Sequence, residues 1–247
     1  DLSFILLFFM AMNTKIRPTR FVMTAASPLI LHHLNNSRSQ RILWLLEELG
    51  ADYEIKHYQR DAKTNLAPQS LKAVHPLGRA PIITHGDTTL AESGAIIEYL
   101  IDEFGGQFKP TSNREALNQY RYWMHFAEGS LMPPLVARLV LSKAKEKASP
   151  FFMKPVVAKV VDAITSAYYG PNLKASLDYV DSYLKENEWF AGECLSGADF
   201  QMSFPLEAMQ GRVGKGQYAA IDAWVNKIHS RDAYQRGLEK GGEYAYA

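Results

Sequence analysis

The sequence predicts a chain in two parts, an α/β unit running β-α-β then β-β-α, and an all-helical unit behind it. Three observations carry this. Short apolar runs alternate with amphipathic helical repeats from Pro28 onward; a Gly-Asp turn separates two brief runs later in the same region; and beyond Pro110 the strand signals stop while helical apolar spacings continue. The expected units are residues 28–107 and residues 113–247, with residues 1–27 outside the fold as an apolar and basic leader or extension.

Each element has its own reason. "LILHHL", residues 29–34, reads as a strand and is followed by the polar turn "NNSRS". Ile42, Leu45, Leu46 and Leu49 then recur at i, i+3, i+4, i+7 with Gly50 as a stop, which predicts a helix over residues 39–49. "YEIKHY", residues 53–58, returns as a strand, and a β-α-β unit implies parallel pairing through a right-handed crossover. After an irregular stretch, "PIITH" and "TTL" flank Gly86-Asp87 as a tight hairpin. The next helix carries Ile97, Leu100, Ile101 and Phe104 on one stripe and ends at Gly105-Gly106. That order is the thioredoxin-like plan.

In the second unit, residues 113–141 form a long helical pattern interrupted near Met132-Pro133-Pro134. Leu173, Leu177, Val180 and Leu184 mark another helix, and Ile221, Trp224, Val225 and Ile228 a third. Ser196 followed three residues later by Asp199, just before Phe200 and Phe204, is a capping box with an acidic third residue, which makes both residues structural.

Composition excludes several functions. In 247 residues, 27 Lys and Arg stand against 26 Asp and Glu, leaving no basic excess to neutralise a run of phosphates, so no nucleic-acid partner is expected. The single cysteine, Cys194, rules out an intramolecular disulfide and a multi-cysteine metal site, and fits a reducing, cytoplasmic location. His32 and His33 are strand neighbours pointing to opposite faces, so shared metal ligation is not expected and the metal expectation is none. "LSFILLFFMAM", residues 2–12, is the most apolar run but is short of the ~20 residues that span a bilayer. Asp1 precedes it and Lys15, Arg17 and Arg20 follow it, the reverse of a signal peptide's order. Membrane association or export would have to run through this extension.

Three segments, "NSRSQRILWLLEELG", "HPLGRAPIITHGDTTLAESGAIIEYL" and "LSGADFQMSFPLE", stand in order and spacing as in cytosolic glutathione transferases, and the chain resembles that family over nearly all of residues 28–240. The first and third look most like a branch of fungal and bacterial enzymes resembling the yeast ER-associated transferase. The resemblance implies a glutathione transferase fold, an enzyme that ionises the glutathione thiol for attack on hydrophobic electrophiles or reduces organic hydroperoxides, glutathione as co-substrate with no further cofactor, and a homodimer. Two alternatives stand beside it: a non-catalytic binding relative, and a glutathione-dependent isomerase.

The resemblance also implies roles for particular residues. Ala80-Pro81 matches the family's cis-proline junction, where the preceding residue's N–H and C=O pair with the cysteinyl backbone of glutathione; read alone, Pro81 is a trans proline opening an edge strand. Glu92 and Ser93 sit at a helix start, where free N–H groups and the helix dipole favour the γ-glutamyl carboxylate and Glu92 faces the neighbouring ammonium; read alone, they are ordinary helix-start residues. Arg79 is placed to meet the glycyl carboxylate, or else is a solvent-exposed arginine. The sulfur's partner is expected just after the first strand, with Ser37 first, four residues before Arg41, then Asn36 and Ser39. A thiol of pKa ~8.5 is only about 3% ionised at neutral pH, and lowering it by two units makes about three-quarters of it thiolate, a stabilisation of about 2.7 kcal/mol. Trp123 and Met124, on a helix that lines the acceptor pocket in relatives, are expected pocket residues through the resemblance; read alone, an aromatic stripe with Tyr120 and Phe126 is core or interface.

Overall fold

A computed structural model describes residues 27–111, 113–213 and 216–246, apart from the side chains of residues 212 and 213; the readings made for residues 1–26 lie outside it. Strands β1 (Leu29–Leu34), β2 (Glu54–Tyr58), β3 (Ile82–His85) and β4 (Thr88–Ala91) form one sheet in the order β2-β1-β3-β4. β1 pairs parallel with β2 and antiparallel with β3, and β3 pairs antiparallel with β4. Helix α1 (Ser39–Leu49) makes the crossover, and α2 (Ser93–Phe104) follows the hairpin, whose turn places Gly86 at φ 58°. This is the thioredoxin-like order expected from the sequence.

Helix α1 is the central slab. Its residues from Ser39 to Glu47 are all buried, because a second layer of helices covers the face turned away from the sheet. That layer is built from α3 (Arg114–Phe126), α4 (Met132–Glu146), α5 (Lys154–Ile164), α6 (Gly170–Glu186), α7 (Gly197–Val213), α8 (Ala219–His229) and α9 (Asp232–Gly241). A π-helical turn at Ala127–Leu131 joins α3 to α4, so the chain bends ahead of Pro133-Pro134 without breaking the rod. Residues 196–210 are buried without interruption, so α7 runs through the core as far as Gln210 and meets solvent at Gly211. Helix α9 approaches α1 closely enough that a Cβ on Gly237 would lie 3.3 Å from the Trp44 backbone nitrogen. Glu47 of α1 accepts from Arg236 and Lys240 of α9, which locks the helical layer onto the α/β unit.

The capping box behaves as read. Asp199 Oδ2 accepts from both the backbone N–H and the hydroxyl of Ser196 at 2.9 Å, and its Oδ1 accepts from the Phe190 N–H at 2.9 Å. Burial pushes the Asp199 carboxyl up to about 7 against those donors. The two strand histidines separate as expected. His32 meets the Tyr58 hydroxyl at 3.0 Å, whereas His33 meets Ser39 Oγ at 2.9 Å and packs edge-on to His57.

Two outcomes follow from these buried groups. Asp199→Ala strands the Phe190 and Ser196 N–H groups, so chemical denaturation is expected to show a loss of about 3 kcal/mol while the thiol titration of bound glutathione stays where it was. Burial, with His57 next in effect, lowers the His33 pKa to about 4. A depressed folded-state pKa gives stability that is present above the unfolded value near 6.5 and is lost as pH falls through about 4. Denaturation midpoints at pH 7 and pH 4 are therefore expected to differ by up to about 3 kcal/mol from this residue, and His33→Gln should flatten that slope.

Candidate active site

A cavity of about 540 Å³ opens at the carboxyl end of β1, where the hairpin and the start of α1 converge. Its walls include Arg79, Ala80, Pro81, Glu92 and Ser93, so five residues singled out from the sequence come together in one place. The Ala80-Pro81 peptide is cis, as the family match implied. Glu92 holds φ 72° and ψ 118°, a conformation that costs a non-glycine residue about 1–3 kcal/mol. That turn sends the chain into α2 with Ser93 buried at its first residue and the Glu92 side chain exposed at the cavity wall.

Beneath Ser93 lies Arg41, which is 1% exposed. Its Nη1 donates to Ser93 Oγ at 3.3 Å and to Gln201 Oε1 at 2.7 Å, while Nη2 donates to Glu128 Oε1 at 2.8 Å. Because Arg41 supplies the donor, the Ser93 oxygen is the acceptor there and its own proton is free for an anion in the cavity. Glu128, in the π-helical turn, also lines the cavity and accepts from Arg38 Nε at 3.0 and 2.9 Å. Burial would raise the Glu128 carboxyl, but the Arg41 and Arg38 guanidiniums hold it below the usual carboxylate range.

Ser37 and Asn36 are not among the residues lining the cavity. The Ser37 oxygen accepts from the Ser39 N–H at 3.2 Å, so it caps the start of α1, and it lies 2.8 Å from Ser39 Oγ. Ser39 Oγ in turn lies 2.9 Å from His33 Nδ1 and donates to the Leu34 carbonyl at 3.2 Å, so both hydroxyls are held within the buried turn. Asn36, at φ 49°, accepts through its Oδ1 from the Ala245 N–H at 2.7 Å. Trp123 and Met124 are also away from the cavity: Trp123 is fully buried in an aromatic cluster with Tyr179, Tyr183 and Phe190, and Met124 belongs to the same core.

Sequence reading missed Arg38, Arg60, Gln69, Lys72 and Glu128, all of which line the cavity. Arg38 stands inside the segment that carries the resemblance, and only its part-buried place between buried Ser37 and Ser39 marks it out. Lys72 and Gln69 sit in a single 3₁₀ turn (Gln69–Ala73) with no periodicity to mark them, and Glu128 needed the π-helical turn to face the site. Four cations, Arg38, Arg60, Lys72 and Arg79, thus surround two carboxylates, Glu92 and Glu128. This balance suits an extended ligand with more negative than positive groups.

A thioredoxin-like unit with a charged cleft at its hairpin, backed by a helical layer, defines a two-part protein of glutathione transferase architecture. Family models agree in both halves: the glutathione S-transferase N-terminal domain matches residues 27–102 and the C-terminal domain residues 140–232. Glutathione S-transferase 3 of Schizosaccharomyces pombe is 41% identical over 86% of this chain and 87% of its own. Glutathione S-transferase 1 of Saccharomyces cerevisiae is 38% identical over 85% and 94%. A solved glutathione S-transferase from Actinobacillus pleuropneumoniae superposes with TM-score 0.73 at 34% identity, over 88% of this chain and 94% of that one. The chain belongs to the glutathione S-transferase family, and the reaction it carries out is attack of an activated glutathione thiol on electrophilic substrates.

Among the described residues no helix is long and apolar enough to cross a membrane, and no cluster of three His, Cys, Asp or Glu side chains is placed to hold a metal ion. Glu92→Gly is expected to raise folding stability by about 1 kcal/mol in a denaturation assay, because glycine adopts the positive φ freely, whereas Glu92→Ala should bring no such gain.

Proposed function

We propose that the cavity holds glutathione extended along the edge formed by Ala80 and Pro81. The Ala80 main chain pairs with the cysteinyl backbone, Ser93 and the start of α2 take the γ-glutamyl carboxylate, and Glu92 takes its ammonium. Arg79, with Lys72 beside it, takes the glycyl carboxylate. The observation that carries this reading is the joint presence of Ala80, Pro81, Glu92 and Ser93 on one cavity whose remaining charge is mostly positive.

Within the same reading, residues 28–107 are the glutathione-binding domain and residues 113–247 the domain from which a hydrophobic electrophile or organic hydroperoxide approaches the sulfur. The turn that carries Ser37 and Asn36 lies at the thiol's end of the tripeptide, with Ser37 organising the first turn of α1 as its cap. The protein works in the cytoplasm as a homodimer, without a metal or prosthetic group.

Calorimetric titration with glutathione tests the binding mode. Ser93→Ala is expected to weaken binding about 10-fold, the worth of a hydrogen bond to a charged group. Unaltered affinity in both Ser93→Ala and Arg79→Ala would place the tripeptide elsewhere. Turnover of an activated aryl halide against that of an organic hydroperoxide separates conjugation from reduction.

A further inference from the structure

We propose that the Arg38 guanidinium is the group that faces and stabilises the glutathione thiolate. The proposal rests on the glutathione reading above. With the cysteinyl main chain at Ala80 and the γ-glutamyl end at Ser93, the sulfur points toward the segment between β1 and α1. From the end of β1 through that segment, only Leu34 and Arg38 line the cavity. Leu34 has no polar side chain, so Arg38 is the one side chain there able to meet an anion.

The hydroxyls nearby are otherwise engaged. The Ser37 and Ser39 hydroxyls lie 2.8 Å apart, Ser39 Oγ also meets His33 Nδ1 at 2.9 Å and the Leu34 carbonyl at 3.2 Å, and both serines are buried at 5% and 0% exposure. Arg38 is held by one edge. Its Nε donates to both oxygens of Glu128, and its guanidinium carbon lies 5.6 Å from the centroid of the Phe204 ring. Neither terminal NH₂ group has a hydrogen-bonding partner among the described residues. A side chain fixed through Nε and lying over a ring presents those two groups with little further loss of freedom.

The charged groups facing this point are Glu128 from the π-helical turn, Arg41 from α1, Arg60 beyond β2 and Glu92 ahead of α2. Glu128 is shared between Arg38 and Arg41, so the cluster of two guanidiniums and one carboxylate keeps a net positive charge. That excess, added to the amino end of α1, favours the ionised sulfur. In the step itself the S–H bond breaks with its electron pair left on sulfur, and the proton passes to solvent water; no oxidant or reductant takes part.

The test is a pH titration of thiolate absorbance for glutathione bound to the full chain, together with the dissociation constant for glutathione. Arg38→Gln is expected to raise the apparent thiol pKa by about one unit or more, and to lower kcat/KM about 10-fold at pH 6.5 with affinity changed by less than about 3-fold. Arg38→Lys should restore most of the difference, and Ser37→Ala should leave the titration in place. Glu128→Gln breaks the same ion pair but keeps the Arg38 charge, so it should leave the thiol pKa unchanged or lower it; a rise there would mean that the ion pair, and not the cation, matters, and would overturn the proposal. So would an unshifted thiol in Arg38→Gln, or a shift of equal size in Ser37→Ala. Failure of the wild-type chain to bind glutathione is a separate result, which would remove the glutathione reading itself.

Discussion

A guanidinium without access to solvent has to be neutralised and hydrogen-bonded where it lies, and Arg41 is such a group. Its two terminal nitrogens reach Ser93 at the start of α2, Gln201 in the middle of α7 and Glu128 in the π-helical turn. One side chain thereby sets the relative positions of three elements that are far apart in the chain. The Phe204 ring lies against it, 5.3 Å from ring centroid to guanidinium carbon, and against Arg38 as well. The wall of the cavity is therefore continuous with the core rather than a loop laid over it.

The same arrangement gives the polar groups their direction. Ser93 receives a hydrogen bond from below and is left to donate above. Glu128 accepts from two arginines and stays ionised in a half-buried place, where an isolated carboxylate would take up a proton. The hydroxyl chain Ser37, Ser39, His33 runs the other way, into the seam between β1 and α9. Two serines that look interchangeable in a polar turn thus serve the helix cap, while the arginine between them turns outward.

Legibility followed periodicity. Helix α1, the strands and the hairpin could be read because Ile42, Leu45, Leu46 and Leu49, or the alternation around Gly86-Asp87, repeat at the spacing of a surface that is covered on one side. Helix α7 has no such repeat, since Asp199, Gln201, Ser203 and Glu207 are buried along with the apolar residues between them, each satisfied by a specific partner. Helix α9 reads as polar, and its role depends on Gly237 and on Arg236 and Lys240 reaching Glu47. Trp123 is expected in the acceptor pocket only through the resemblance, whose helix lines that pocket; its aromatic stripe marks an apolar surface without saying what covers it, and here Tyr183 and Phe190 do.

The sequence by itself determined the order of elements, the hairpin, the helix start at Ser93 and the capping box. All of these are local: a dihedral preference, an apolar period or a three-residue spacing decides them. Only the tertiary structure decided which polar side chains meet the ligand. Facing into a cavity depends on where neighbouring elements leave space and where hydrogen-bond partners already stand, and those neighbours, Glu128 for Arg38 and His33 with Gly241 for the two serines, are brought together by packing rather than by spacing along the chain.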